Sequence, residues 1–114
     1  MPTEEGVHMA SIMQGTTPSV IIKINPDDLL LSAVNRVELY VRNGGRLETY
    51  TAEDLVLDTD ANTVVKTFTE EETAAFDPEK TVVIQGRLWV GGSIFGITKL
   101  RFTVADMEGV GTDG

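Results

Sequence analysis

The amino-acid sequence predicts an all-β protein, an immunoglobulin-like antiparallel β-sandwich with one short crossover helix. Three observations lead to this prediction. Short runs of alternating apolar and polar residues indicate roughly seven strands, turn-forming residues recur about every ten residues, and one segment carries the start signal of a helix. A small β-barrel is the alternative architecture, because short strands at this spacing are also typical of barrels. The chain has no cysteine, so it lacks the intersheet disulfide of antibody domains.

Length and charge limit the kinds of function. A chain of 114 residues is long enough for one domain with its own hydrophobic core. Its formal net charge of −9 repels phosphate backbones and anionic lipids, so we expect neither a nucleic-acid partner nor a membrane partner. Glu4 and Glu5 stand where a secretory signal peptide carries positive charge, so no signal peptide is predicted.

The two ends of the chain carry few strand signals. Residues 1–14 combine acidic residues, small residues and three methionines without a clear period, which predicts a flexible N-terminal arm or a segment ordered by a neighbour. Residues 106–114 are acidic and rich in glycine, which predicts a flexible C-terminal tail. The sandwich domain is therefore predicted over residues 15–105.

The first part of the domain combines a strand with an apolar plug. Val20, Ile22 and Ile24 alternate with other residues and therefore share one face of a predicted strand. Turn-forming residues at 25–28 lead into the apolar run of residues 29–34. We expect this run to fill one end of the core.

Residues 35–51 predict the first β-hairpin, because apolar and polar side chains alternate on both sides of Asn43-Gly44-Gly45. A three-residue loop with Gly45 in the left-handed conformation keeps the charged residues outside. That loop pairs Val41 with Leu47 and Leu39 with Thr49.

Two short strands are predicted at residues 54–57 and 62–67. A short helix is predicted after them and before the last hairpin. Thr69-Glu70-Glu71-Glu72 matches a capping box, and its three acidic residues lie where the helix dipole favours negative charge. The helix is expected to end before Pro78. Phe68 and Phe76 are expected to anchor its two ends to the core.

Residues 81–104 predict the last and most regular hairpin. A two-residue loop at Gly91-Gly92 would mix apolar and charged side chains on one face. A three-residue loop at residues 90–92, with Gly92 left-handed in a G1 bulge, avoids this mixture. It places Val82, Ile84 and Leu88 opposite Leu100, Thr98 and Ile94.

Candidate catalytic and metal-binding patterns have simpler structural explanations. Residues 58–62 match the start of a calcium loop, but Thr63 stands where the loop needs glycine and Thr69 where it needs glutamate, so a hairpin turn is predicted. The single histidine, His8, lies in the predicted arm, and Glu70-Glu71-Glu72 is better explained as a helix start than as an acid/base pair. We therefore expect no cofactor, no metal and no enzymatic activity.

The outer face of the last hairpin is the predicted partner-binding site. With the three-residue loop, this face combines basic and large apolar side chains, the types of residue that concentrate binding energy at interfaces. In an acidic protein it suits an acidic neighbour, such as the Glu70–Glu72 segment of another copy, so homo-oligomerisation is a predicted possibility. The predicted binding residues are Arg87, Trp89, Phe95, Ile97, Lys99 and Arg101.

Two alternatives for this face remain open. Residues 27–34 or the N-terminal arm of the same chain would cover it if no partner binds there. A carbohydrate-binding or surface-binding module would instead need a platform of exposed aromatic rings, for which the sequence offers Trp89, Tyr40 and Tyr50.

Several short motifs resemble those of small proteins encoded by tailed phages and prophages of Gram-positive bacteria. They are Gln14-Gly15-Thr16-Thr17-Pro18 before the first strand, residues 68–76, Ile84-Gln85-Gly86-Arg87, and Gly91-Gly92. The resemblance spans about residues 15–104. It implies a β-sandwich structural or assembly protein of the virion that binds itself or another virion protein, in the virion or in the bacterial cytoplasm during assembly. The sequence departs from this family in the longer acidic arm before Gln14.

Overall fold

The computed structural model describes residues 10–24 and 29–106. These residues form eight strands, one α-helix and two short 3-10 helices, at Leu31–Ala33 and Ala52–Asp54. The helix α1 is Glu70–Ala74. The strands are β1 Ala10–Met13, β2 Ser19–Lys23, β3 Arg36–Asn43, β4 Arg46–Thr51, β5 Val56–Asp58, β6 Thr63–Thr67, β7 Val82–Val90 and β8 Ser93–Ala105.

The strands build two packed sheets, which confirms the predicted all-β sandwich and excludes the closed barrel. The larger sheet has the strand order β1-β8-β7-β3-β4 and the smaller sheet has the order β2-β6-β5. Strands β2, β6 and β5 correspond to strands B, E and D of an immunoglobulin domain, and β3, β7 and β8 correspond to C, F and G. Strand β4 lies beside β3, as strand C′ does in variable-type domains.

Strand β1 departs from the predicted antiparallel pattern and from the predicted domain boundary. It pairs with β8 in parallel, from Ala10 opposite Phe102 to Met13 opposite Ala105. Ile12 is only 2% exposed, and the Gln14 side-chain amide donates a hydrogen bond to the Phe76 carbonyl at 2.9 Å. The prediction of an arm over residues 1–14 is therefore wrong from Ala10 onward. Residues 1–9 of that arm and residues 107–114 of the predicted tail lie outside the described residues.

The predicted first strand and apolar plug are both present. Val20, Ile22 and Ile24 are buried in the core, and so is Leu31 in the first 3-10 helix. Asn62 fixes this plug, because its side-chain oxygen accepts a hydrogen bond from the Leu31 amide at 2.6 Å and its nitrogen donates to the Leu29 carbonyl at 3.0 Å. Asn62 has φ +58°, a left-handed conformation that asparagine tolerates better than most residues.

The capping box of α1 is confirmed. The Thr69 hydroxyl accepts a hydrogen bond from the Glu72 amide at 3.1 Å, and the Glu72 carboxylate accepts one from the Thr69 amide at 2.8 Å. Phe68 and Phe76, on either side of the helix, are buried with their ring centroids 5.7 Å apart in an edge-to-face arrangement. The two rings therefore hold the crossover against the core, as predicted.

The three-residue loop predicted for the β3–β4 hairpin is wrong. The loop has two residues, and Gly44 has φ +67° whereas Gly45 does not adopt a positive φ. A left-handed residue at the first central position is typical of a type II′ turn, whose twist matches that of the flanking strands. The pairs are Val41 with Glu48 and Leu39 with Tyr50. Because β4 is an edge strand, its inward charged side chains reach the rim of the sandwich.

The loop predicted for the β7–β8 hairpin is also wrong. The loop consists of Gly91 and Gly92, and Gly91 has φ +59°. This loop alone would mix apolar and charged side chains on one face. A register shift between Ile84 and Gly86 avoids the mixture. On one side of this β-bulge Leu88 faces Phe95 and Gly86 faces Ile97, and on the other side Ile84 faces Leu100 and Val82 faces Phe102.

Candidate interaction site

The outer face of the five-stranded sheet collects most of the predicted binding residues. Strand alternation directs Arg87 and Trp89 outward from β7, and Lys99 and Arg101 point outward from β8. Strand β3, next to β7, adds its own outward side chains to the same surface. We call this surface the basic face, and define it by Arg36, Glu38, Tyr40, Arg42, Val83, Gln85, Arg87, Trp89, Ile94, Lys99 and Arg101.

Two predicted binding residues do not belong to the basic face. Ile97 pairs with Gly86, is 2% exposed and lies in the core, while Phe95 pairs with the buried Leu88. Ile94 pairs with Trp89 instead and is 54% exposed. The prediction is wrong for Phe95 and Ile97 because the two-residue loop shifts the register by one residue, which turns side chains to the other face.

Charge distinguishes the basic face from the rest of the protein. It carries five of the nine basic residues of the chain and, among its members, one acidic residue, Glu38. Arg36 and Arg42 were missed as site residues by sequence reasoning. Their alternation with Val37, Leu39 and Val41 identifies their side of β3, but only the pairing of β3 with β7 shows that this side joins the basic face.

The aromatic residues of the basic face are held by a network of charged groups. The Tyr40 hydroxyl donates to Glu38 Oε1 at 2.5 Å, Arg87 Nε donates to the Tyr40 hydroxyl at 2.8 Å, and Arg36 forms an ion pair with Glu38. The guanidinium carbons of Arg36 and Arg87 lie 4.6 Å and 5.0 Å from the centroid of the Trp89 ring. Such cation–π contacts fix Trp89 in one orientation before any partner arrives.

The same network explains two pKa shifts. The hydrogen bonds from Tyr40 and Arg36 lower the pKa of Glu38 below its usual value, so this carboxylate stays charged. Burial, followed by the hydrogen bond to Glu38, raises the pKa of Tyr40, so the phenol stays neutral.

A hollow of about 340 Å³ lies on the basic face. We call it the basic hollow, because three cationic side chains surround it: Arg42, Lys99 and Arg101. Within the described residues, none of these three side chains forms an ion pair. Guanidinium and ammonium groups in this arrangement suit carboxylate oxygens. The remaining lining residues are Tyr40, Leu47, Val83 and Gln85.

A second cluster of charged and aromatic residues lies on the inner side of β4 and β6. The Lys66 ammonium is 3.8 Å from the centroid of the Tyr50 ring and 3.2 Å from Glu72 Oε2. Burial would raise the pKa of Glu72, but the Thr69 amide, Lys66 and Tyr50 outweigh it, and the pKa of Glu72 is lowered. Burial and the neighbouring Glu72 raise the pKa of Tyr50. These groups satisfy one another, so this cluster supports the fold.

The predicted carbohydrate platform is not assembled. Tyr50 pairs with the inward-facing Leu39, whereas Tyr40 and Trp89 belong to the basic face on the other side of the sheet. In addition, two guanidinium groups already lie over the Trp89 ring. The three rings therefore do not form one surface on which a sugar could stack.

The calcium-like segment at residues 58–62 forms the β5–β6 turn. Asp58 Oδ1 accepts a hydrogen bond from the Ala61 amide at 3.0 Å, which is a turn-stabilising contact. Among residues 10–24 and 29–106, no three histidine, cysteine, aspartate or glutamate side chains gather closely enough to hold a metal ion. In the same part of the chain, no helix has the length and apolar character needed to cross a membrane.

Comparison of the sequence with models of known protein families finds no match, and no curated protein matches it either.

Proposed function

We propose that this chain is a non-catalytic structural or assembly protein of a phage or prophage virion, and that it acts through protein–protein contacts on the basic face. One observation carries the contact role: five basic residues and the single tryptophan share one sheet face of a protein whose formal net charge is −9. The phage setting comes from the resemblance of its short motifs.

The composition of the basic face supports binding to an acidic protein surface. Trp and Arg are enriched among the residues that dominate binding energy at interfaces, and here they are fixed in contact with each other. Because Trp89 is already oriented, its side chain loses less conformational entropy when a partner binds. The positive charge of the face attracts an acidic partner, while the overall negative charge opposes nucleic acid.

The proposed role places the protein in the virion, or in the cytoplasm of the bacterial host during assembly. Particles and assembly intermediates purified from a host that encodes the chain should contain it. Hydroxyl-radical footprinting should show Trp89 oxidised in the free protein and protected in the particle. Ile21, which is 63% exposed on the smaller sheet, serves as the reference side chain.

Two results would overturn the proposal. One is absence of the chain from both particles and intermediates. The other is equal oxidation of Trp89 in the free and assembled states, because a contact through the basic face has to shield this ring.

A further inference from the structure

The basic hollow has a complementary group on the same molecule. Glu70 and Glu71 are adjacent, exposed residues in the first turn of α1, and neither forms an ion pair within the described part of the chain. The carboxylate of their neighbour Glu72 already accepts a hydrogen bond from the Thr69 amide and pairs with the Lys66 ammonium. The capping box fixes the backbone of this turn, so the two free carboxylates project from a rigid support.

Other acidic segments of the described chain use a carboxylate for their own backbone. Asp58 accepts a hydrogen bond from the Ala61 amide, Asp54 accepts one from the Thr51 amide at 3.1 Å, and Asp77 accepts one from the Glu79 amide at 2.9 Å. Glu70 and Glu71 have no such task. They are therefore the pair of adjacent carboxylates best placed to enter the basic hollow of another molecule.

Charge also decides how two copies can meet. If two basic faces met about a two-fold axis, each would bring five cations and one carboxylate, and like charges would oppose each other. A heterologous contact joins different surfaces and avoids this repulsion. We propose that copies of this chain associate head to tail, with the Glu70 and Glu71 carboxylates of one copy bound in the basic hollow formed by Arg42, Lys99 and Arg101 of the next.

The proposal rests on the proposed function, since it uses the same basic face, and it names the partner as a second copy. A hollow of about 340 Å³ is large enough for side chains to enter. Head-to-tail contacts produce a closed ring when the rotation between neighbours closes, and an open filament when it does not. Both are repeating assemblies built from a single interface.

Two charge-reversal variants test the interface. The first is Lys99→Glu with Arg101→Glu in the hollow, and the second is Glu70→Lys with Glu71→Lys in the turn. We expect the wild type to form multimers of its 12.4 kDa chain in light scattering after size exclusion at low salt. Each variant alone should associate roughly 30-fold more weakly, because exposed ion pairs are lost and replaced by repulsion.

A mixture of the two variants is the decisive measurement. The reversed hollow of the first variant is complementary to the reversed turn of the second, so the mixture should regain multimers. The control for the turn variant is Glu53→Lys with Asp60→Lys, which raises the net charge by the same amount at exposed residues outside the turn and should keep wild-type association. Circular dichroism should show that all variants are folded.

A wild type that remains monomeric at every concentration would overturn the head-to-tail association. So would a mixture that stays monomeric, or a control that dissociates as fully as the turn variant. A monomeric wild type whose Trp89 is nevertheless protected in particles would overturn this inference alone, and the proposed function would stand with a different acidic protein as the partner.

Discussion

The same three groups, a cation, an aromatic ring and a glutamate, meet twice in this molecule, once around a buried cation and once around an exposed cation. Inside the sandwich, Lys66 lies over Tyr50 and pairs with Glu72. On the basic face, Arg87 lies over the Trp89 ring, and its Nη2 atom is 3.7 Å from Glu38 Oε1. The Lys66 side chain is 5% exposed, whereas the Arg87 side chain is 51% exposed.

The solvent exposure of the cation decides what each cluster does. A charge removed from water needs its partners, so losing one partner of the inner cluster leaves an uncompensated charge. The Arg87 guanidinium of the outer cluster remains solvated, so its ion pair with Glu38 contributes little to stability, and its surface is free for a partner. Similar chemistry therefore supports the fold in one place and recognition in the other.

The largest expected effect comes from breaking the inner cluster. Lys66→Ala should lower the free energy of unfolding by about 3 kcal/mol, because it leaves Glu72 without its cation and opens a cavity under Tyr50. Lys66→Met keeps the apolar stem and should cost about half as much. Urea unfolding measures both. A loss no larger than that of Arg87→Ala would contradict the distinction between the two clusters.

The two sides of the larger sheet should also differ in their tolerance of one added methyl group. A Cβ on Gly86 would lie 2.8 Å from the Glu38 carbonyl oxygen and 2.9 Å from Ile97 Cδ1. Gly86→Ala should therefore destabilise by about 2 kcal/mol through overpacking. Gly96 pairs with Arg87, and a Cβ added there would meet no atom within 4 Å. Gly96→Ala is therefore the matched control and should change the free energy of unfolding by less than about 0.5 kcal/mol.

Acid should weaken the fold through both glutamates, because a carboxylate whose pKa is lowered in the folded state stabilises the fold while it is charged. The pKa values of Glu38 and Glu72 are both lowered in the folded state. For Glu72 the resulting stabilisation is present above its usual pKa of about 4.5 and is lost as the pH falls through the lower folded-state pKa. We expect this loss to be smaller than the effect of Gly86→Ala, since Glu72 is partly solvated.

Unfolding curves recorded between neutral pH and pH 3, together with NMR titration of both carboxylates, measure these two contributions. Glu72→Gln and Glu38→Gln should each reduce the loss of stability at acid pH, because each removes a carboxylate whose pKa is lowered in the folded state. A pH dependence of stability that neither substitution changes would contradict this prediction.

Within the two clusters, the smallest expected effect on stability is that of Arg87→Ala. The Arg87 side chain is half exposed, and its ion pair with Glu38 is long at 3.7 Å. The substitution should therefore change the free energy of unfolding by no more than about 0.5 kcal/mol, although it removes a contact with Trp89. Urea unfolding measures the change in free energy, and Trp89 fluorescence reports the loss of the contact with this ring. A loss above about 2 kcal/mol would place Arg87 among the groups that hold the fold together.

Local signals in the sequence predicted the features that depend on few neighbours. The capping box at Thr69 and Glu72 is satisfied within one helical turn, and the shared face of Val20, Ile22 and Ile24 follows from strand geometry. The sandwich architecture itself follows from many short strands. None of these depends on a distant pairing.

Features that depend on register or on distant strands were not predictable in this way. The two-residue loop places Phe95 and Ile97 on the inner side of the sheet. The β-bulge shifts the register again, so Lys99 and Arg101 lie on the predicted outer side. A loop and a bulge have opposite effects on register, and no local pattern reveals their combination. The burial of Lys66 is similar, because its partners Tyr50 and Glu72 arrive from other elements.

Strand β1 pairs with β8, the described strand that is furthest from it along the chain. The hydroxyl groups of Ser11 and Thr103 are hydrogen-bonded at 2.8 Å although the two residues are 92 positions apart. During synthesis on the ribosome, residues 10–13 emerge long before β8 does, so they cannot form the β1–β8 pairing until β8 has been synthesised. Closing so long a loop also costs more entropy than closing the β7–β8 hairpin. The complete five-stranded sheet therefore exists only after β8 has been translated.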